Sequence, residues 1–257
     1  MEGSEFMAIF LTGDTHGRFE RFSAEAFPLG KELTKEDYVI ILGDFGGIWE
    51  QSESNKNENH WLTWLDEKPW TTLFIDGNHE NYDRLNTYEI TKWCGGDIQF
   101  IRPSIIHLLR GQVYNINGTT FYTMGGASSH DIKDGILEIG DPRIKQWYRD
   151  YTKLFRINRL SWWKEELPND SDFFTGNTNL QNVNYKVDYI LSHSPSTTEQ
   201  VLMCGDNGLY EPDRLTNYLD EVMAKTEFKR HYFGHLHVDR QVTHNAICLY
   251  NNIERVA

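Results

Sequence analysis

Positive charge is scarce in this sequence. Its 257 residues carry 25 Lys and Arg against 38 Asp and Glu, a formal net charge of −13. Such a surface repels phosphate backbones at long range, which disfavours long nucleic acids and anionic membranes as partners. Cysteine is scarce as well. Cys94, Cys204 and Cys248 are odd in number, far apart and free of any CxxC pair. That pattern speaks against a disulfide framework and for a reducing compartment, so a cytoplasmic location is expected. No apolar run approaches the roughly 18 residues of a membrane span. The apolar start Met7–Leu11 is too short for a signal-peptide core and lacks basic flanks. There is no Walker loop, dinucleotide fingerprint or HExxH, and Gly125-Gly126-Ala127-Ser128 lacks the Gly-x-Ser-x-Gly spacing of a nucleophile elbow.

Apolar material is ample: 39% of residues are hydrophobic and 14% aromatic, enough for a sizeable core. Met1-Glu2-Gly3-Ser4-Glu5-Phe6 reads as a vector scar ahead of a natural start at Met7, leaving residues 7–257 as one expected domain. Short β-rich runs at Ala8–Thr12, Tyr38–Leu42 and Thr72–Ile75 each end in a glycine-bearing polar loop. Helices are expected between them at Phe19–Phe27, at His60–Glu67 after a polar loop Gln51–Asn59, and at Asn81–Asn86. This alternation predicts a mainly parallel sheet flanked by helices. Further on, Asn117-Gly118 between two strand-like runs of Gly111–Met124 predicts a hairpin. Ser161–Leu167 reads as a short helix and the Asn-, Ser- and Gly-rich Asn169–Asn184 as a loop. Val187–Leu191, Phe228–Phe233 and Gln241–Tyr250 read as strands, with a helix over Pro212–Lys225.

The chemistry sits at the strand ends. They read Gly13-Asp14-Thr15-His16-Gly17, Gly43-Asp44-Phe45-Gly46-Gly47, Gly77-Asn78-His79-Glu80, Ser192-His193-Ser194 and Gly234-His235-Leu236-His237. Open α/β sheets bind ligands outside the carboxyl ends of their strands. Five loops would therefore bring carboxylate, imidazole and amide groups to one edge. Residues two apart, as in Asp14-x-His16 and His235-x-His237, can face the same side of an extended turn. Mixed O and N donors suit Mn, Fe or Zn, and their number exceeds one tetrahedral site. Two divalent ions sharing a carboxylate is a recurring arrangement for phosphoester hydrolysis. His60, His107, His231 and His244 lack supporting neighbours and are read as ordinary.

In this order, the five motifs resemble the calcineurin-like metallophosphoesterase family over roughly Met7 to Tyr250. The resemblance implies a four-layer αββα sandwich of two central mixed β-sheets flanked by helices. It implies that Asp14, His16 and His237 hold a first metal, that Asn78, His193 and His235 hold a second, and that Asp44 bridges both. It makes His79 a catalytic residue that contacts the phosphate and assists the leaving group. Hydroxide formed from a bridging water would then attack phosphorus in line.

The sequence departs from the Ser/Thr phosphatases of that family. Gly47-Ile48 stand where those enzymes carry Asp-Arg, and Asp76 where they carry Arg. With those arginines gone, diesters are favoured over monoesters, which present one more charge to grip. Arg18, Arg84 and His130 are candidate substrate contacts. Gly125–Ser128 with Asp131, Ser161–Glu166 and Asp188–His193 are similar to a phage- and bacteria-associated subgroup. The expectation is thus a hydrolase of small phosphoesters using two divalent transition metals, Mn first. A phosphomonoesterase and a non-catalytic metal-bound binding module are the alternatives.

Overall fold

The computed structural model describes residues 7–205 and 210–257; the expected vector scar lies outside the described residues. The strands, in chain order, are β1 (Ile9–Thr12), β2 (Tyr38–Leu42), β3 (Thr71–Ile75), β4 (Ile90–Trp93), β5 (Gly96–Arg102), β6 (Ile105–Leu108), β7 (Gln112–Ile116) and β8 (Thr119–Met124). They continue as β9 (Gly135–Leu137), β10 (Phe155–Ile157), β11 (Tyr189–Ser192), β12 (Arg230–Phe233), β13 (Arg240–Gln241), β14 (Ala246–Cys248) and β15 (Glu254–Arg255). The helices are α1 (Lys56–Asp66), α2 (Tyr82–Leu85), α3 (Ile144–Trp147), α4 (Asp170–Asn182), α5 (Thr197–Cys204) and α6 (Arg214–Lys225).

Two large sheets result. The first runs β15-β1-β2-β3-β6-β5-β4, with β1, β2, β3 and β6 parallel. The second runs β13-β14-β12-β11-β8-β7, with β14, β12, β11 and β8 parallel. Alternation within each strand sorts its side chains between two layers of core. Ile9, Leu11, Ile40, Leu42 and Leu73 point between the sheets and meet Phe121, Leu191 and Tyr232. Phe10, Val39, Ile41 and Phe74 point outward onto Leu62 and Leu65 of α1. On the opposite outer face, Tyr122, Met124 and Ile190 pack on Phe173 and Leu180 of α4 and on Leu215, Leu219 and Val222 of α6. The order is helix, sheet, sheet, helix, the expected four-layer sandwich.

Several elements follow the sequence. Asn117 and Gly118 both take positive φ, and Ile116 pairs with Thr119, so the predicted hairpin closes through a two-residue turn. Others do not. Phe19–Phe27 is not a helix: a 3-10 turn at Glu20–Phe22 gives way at Ser23, which is extended, while Phe19, Phe22 and Phe27 are all buried. The helix expected from His60 begins four residues earlier, because Asn55 caps Lys56–Asp66 by accepting from Glu58 N–H. Ser161–Leu167 holds only a 3-10 turn, Lys164–Glu166. Asn169–Asn184 is not a loop; it is α4, opened by a capping box between Asn169 and Asp172. The strand expected over Gln241–Tyr250 splits into antiparallel β13 and β14. Among the described residues, no helix is long and apolar enough to cross a membrane.

Candidate metal centre

The carboxyl ends of β1, β2 and β3 meet those of β11 and β12, and the five motif loops converge there. Close approach requires glycine. Gly43 has φ +89°, and a Cβ on it would overlap the His193 ring arriving from the other sheet. A Cβ on Gly77 would overlap the Asp44 carboxylate. His16, Asp44, His235 and His237 themselves take left-handed φ values of 45–66°. Such backbone strain in non-glycine residues clusters at functional sites.

Four of the expected ligands form one cluster: donor atoms of Asp14, His16, Asp44 and His237 all lie within 4.8 Å of one another. Asp14 and Asp44 are fully enclosed. Asp14 Oδ1 accepts from His235 N–H at 2.9 Å, while Oδ2 lies 3.1 Å from His237 Nε2 but lacks a hydrogen bond of acceptable geometry. The Nε2 atoms of His16 and His237 face each other at 2.9 Å. Two buried carboxylates, one with an orphaned oxygen, and two imidazole nitrogens aimed at the same point fit a cation.

The other three expected ligands gather around Asp44 on the far side. His193 Nε2 is 3.3 Å from Asp44 Oδ1 and 3.3 Å from Asn78 Oδ1. The second ring nitrogen of His193, Nδ1, faces the Leu42 carbonyl at 2.7 Å, which orients the ring and directs Nε2 to the centre. The His235 ring sits 5.0 Å from that of His193. Asn78 is fixed from behind by the hydrogen bond its Nδ2 donates to Ser129 Oγ at 3.3 Å, and Ser129 in turn donates to Glu166.

Electrostatics agree with this reading. Burial disfavours charge on His193, yet Asp44 and Asp14 push its pKa up to about 10. Burial likewise opposes charge on Asp44, but His193 outweighs it and holds the carboxyl well below its usual range. The enclosed carboxylates thus demand a positive charge, and without a metal His193 supplies it as a proton. Burial, reinforced by His193, drives His235 down to about 3, leaving it a neutral ligand-type imidazole.

His79 donates its backbone N–H to Asp44 Oδ1 at 2.8 Å, and its ring stands 4.9 Å from that of His16. Burial and the neighbouring Arg156 cation, against the pull of Asp44, lower it to about 4. Glu80, buried beside it, accepts from Phe45 N–H at 2.7 Å and so anchors the loop that carries Asp44. Of the candidate substrate contacts, Arg18 is exposed on the rim of a cleft shared with His16 and His237. His130 lines a cavity of about 350 Å³ with His235 and Ser129. Arg84 is a correction: its Nη1 pairs with Glu58 at 2.6 Å and donates to the Glu50 carbonyl at 2.9 Å, and the side chain lines neither of the cavities beside the centre. A second cavity, about 310 Å³, is lined by His16, His79, Trp49 and Trp61. His107 and His231 stay outside the centre, in buried hydrogen bonds to Gln99 and Asp76 and to Ser192 and Glu199. Sequence reasoning missed Arg156, 3.2 Å from His79 Nε2, because no motif surrounds it.

A family model described as calcineurin-like phosphoesterase matches residues 7–239. Among solved structures, a phosphopantetheinyl hydrolase from Mycobacterium tuberculosis is similar at 13% identity and TM-score 0.48, over 95% of this chain and 88% of that one. A proposed 5'-nucleotidase from Staphylococcus aureus, in complex with alpha-ketoglutarate, is similar at 13% identity and TM-score 0.47, over 97% of this chain and 50% of that one. No curated protein matches. With the family model spanning nearly the whole chain and its motif residues gathered at one edge, the protein belongs to the calcineurin-like phosphoesterase family.

Proposed function

We propose that the protein is a hydrolase of small phosphoesters that works with two divalent cations, and that diesters are its better substrates. The observation that carries the reading is the cluster of Asp14, His16, Asp44 and His237, and His193, 3.3 Å from both Asp44 and Asn78, supports a second set with His235 that would share Asp44. When bound, the cations supply Lewis acidity at phosphoryl oxygens and a lowered pKa for water. Mn, Fe or Zn suits this mixture of imidazole, amide and carboxylate donors better than Mg, which favours oxygen.

The chain's own residues supply the rest. Asp44 lies 3.6 Å from His16 Nε2 and 3.3 Å from His193 Nε2, which supports a shared role. With a cation in place of the proton on His193, His193 and His235 would both serve as neutral ligands. His79 is neutral near pH 7, so its ring serves as a fixed N–H donor toward a phosphoryl oxygen rather than as a store of protons. Two cavities of about 310 and 350 Å³ flank the centre, on the His79 and His235 sides. A diester has two ester arms to place in them, and this supports the diester preference.

The test compares bis-p-nitrophenyl phosphate with p-nitrophenyl phosphate under saturating Mn. Faster turnover of the diester is expected. Faster turnover of the monoester would assign a phosphomonoesterase, and no turnover of either with both metals bound would leave a binding module.

A further inference from the structure

Arg156 belongs to no motif, yet it is the charged side chain that meets His79. It lies at the middle of β10, which pairs in parallel with β9 and forms a small ribbon apart from the two large sheets. Asp131 takes one edge of its guanidinium: Nε is 2.9 Å from both carboxylate oxygens, and Nη2 is 2.6 Å from Oδ2. Nη2 also lies 3.2 Å from His79 Nε2. Nη1 makes one long contact, 3.4 Å to the Ser161 carbonyl. The side chain is only 17% exposed. Nε and one Nη2 N–H are therefore taken by Asp131, the second Nη2 N–H faces His79, and Nη1 keeps one N–H beyond its long contact with Ser161.

That placement needs a physical reason. Arg156 stands one imidazole away from a centre designed for cations, since His79 touches His16 ring to edge. Asp131 balances the Arg156 charge from one side, and an anion lying between Arg156 and bound cations would be attracted by both. The rigid five-donor fork of arginine matches phosphoryl oxygens in shape and charge. We propose that Arg156, fixed by Asp131 and carried to His79 by the β9–β10 ribbon, grips the phosphoryl oxygens of the substrate. This rests on the phosphoester reading of the centre, and it restores from another part of the chain the cation lost at Gly47-Ile48 and Asp76. Asp131 is a positioning residue in this scheme.

The experiment titrates inorganic phosphate calorimetrically into the Mn-loaded protein, wild type against R156A, R156K and D131A, with metal content measured on each. Charge-assisted hydrogen bonds of this kind predict phosphate affinity ~10- to ~100-fold weaker in R156A at unchanged metal content. R156K should recover only part of it, because a point charge cannot hold Asp131 and phosphate in two fixed directions. D131A should raise KM more than it lowers kcat, and guanidinium ion should partly rescue R156A turnover. Should R156A not fold, R156K is read alone: phosphate affinity below wild type at full metal content supports the proposal. Unchanged phosphate affinity in both arginine variants would overturn it, as would metal loss that parallels the phosphate loss. If the wild type turns over neither ester while R156A still loses phosphate binding, the hydrolase reading fails and the anion grip stands.

Discussion

Replacing Asp44 with Asn tests the shared-ligand geometry most directly. Asp44 is 1% exposed, and its Oδ1 accepts from His79 N–H. Asn has the same shape and keeps that acceptor, so the loop should hold its place. What disappears is one negative charge lying 3.3 Å from His193 Nε2 and 3.6 Å from His16 Nε2, between the two ligand sets. Removing a residue that merely orients a ligand weakens metal affinity about 10- to 100-fold. A ligand common to both cations should lose at least about 100-fold. At Mn concentrations ~100 times the wild-type Kd, each bound cation stabilises the fold by ~2.7 kcal/mol. A hundredfold weaker site leaves ~0.4 kcal/mol under the same conditions. For a chain this long, ~1 kcal/mol moves Tm by about 2–4 °C. The Mn-induced rise should therefore shrink from ~5–10 °C per cation to ~1 °C. Calorimetric melting of metal-free and Mn-titrated protein reads this directly, with metal analysis alongside. An Asp44→Asn protein that keeps the wild-type Mn increment would refute the bridge.

Chelation should abolish hydrolysis, Mn should restore it and Mg should restore it poorly; fewer than one ion per chain at saturating Mn would end the two-cation reading. His79→Ala should retain both metals and lose turnover by ~10²-fold. Because His79 is held neutral near pH 7, that loss should be equal on esters of high and low leaving-group pKa; a larger loss on the poorer leaving group would make His79 a proton donor after all. Glu166, buried against Ser129, is pushed up to about 7 from an ordinary 4.5. The folded carboxyl thus keeps its proton up to about pH 7, while the unfolded one releases it near 4.5. Its contribution is greatest below pH 4.5, falls as pH rises to 7 and is flat above. Glu166→Gln should remove that slope from urea unfolding of the metal-free protein; identical slopes in both proteins would contradict it.

The strands that carry the ligands were legible because buried parallel strands are continuous apolar runs, and each ended in glycine beside a donor residue. α4 was hidden by composition. Its Asn, Ser and Gly content resembles a loop, whereas its stability comes from a capping box and from Phe173, Gly176 and Leu180 buried along one face. Phe19–Phe27 erred in the other direction, since its three buried phenylalanines anchor a bending chain without helical repeat. Arg84 shows that nearness to a motif in sequence is not nearness in space: α2 turns it back to Glu58. Arg156 shows the converse. Its contact with His79 spans 77 positions and depends on a ribbon that no local pattern announces.

The two sheets divide the centre between them. Asp14, His16, Asp44 and Asn78 follow strands of the first, and His193, His235 and His237 follow strands of the second. Over most of their facing area the sheets are joined by aliphatic and aromatic side chains, but at this edge the filling is ionisable. Bound cations would therefore be inter-sheet cross-links, reversible counterparts of a disulfide set at the polar margin of the sandwich. Without them the margin is a polar seam, held across the sheets by His193 against Asp44 and the Leu42 carbonyl. Hydrogen exchange at the carboxyl ends of β1, β2, β3, β11 and β12 would then report metal occupancy, while the opposite ends of the same strands stayed silent.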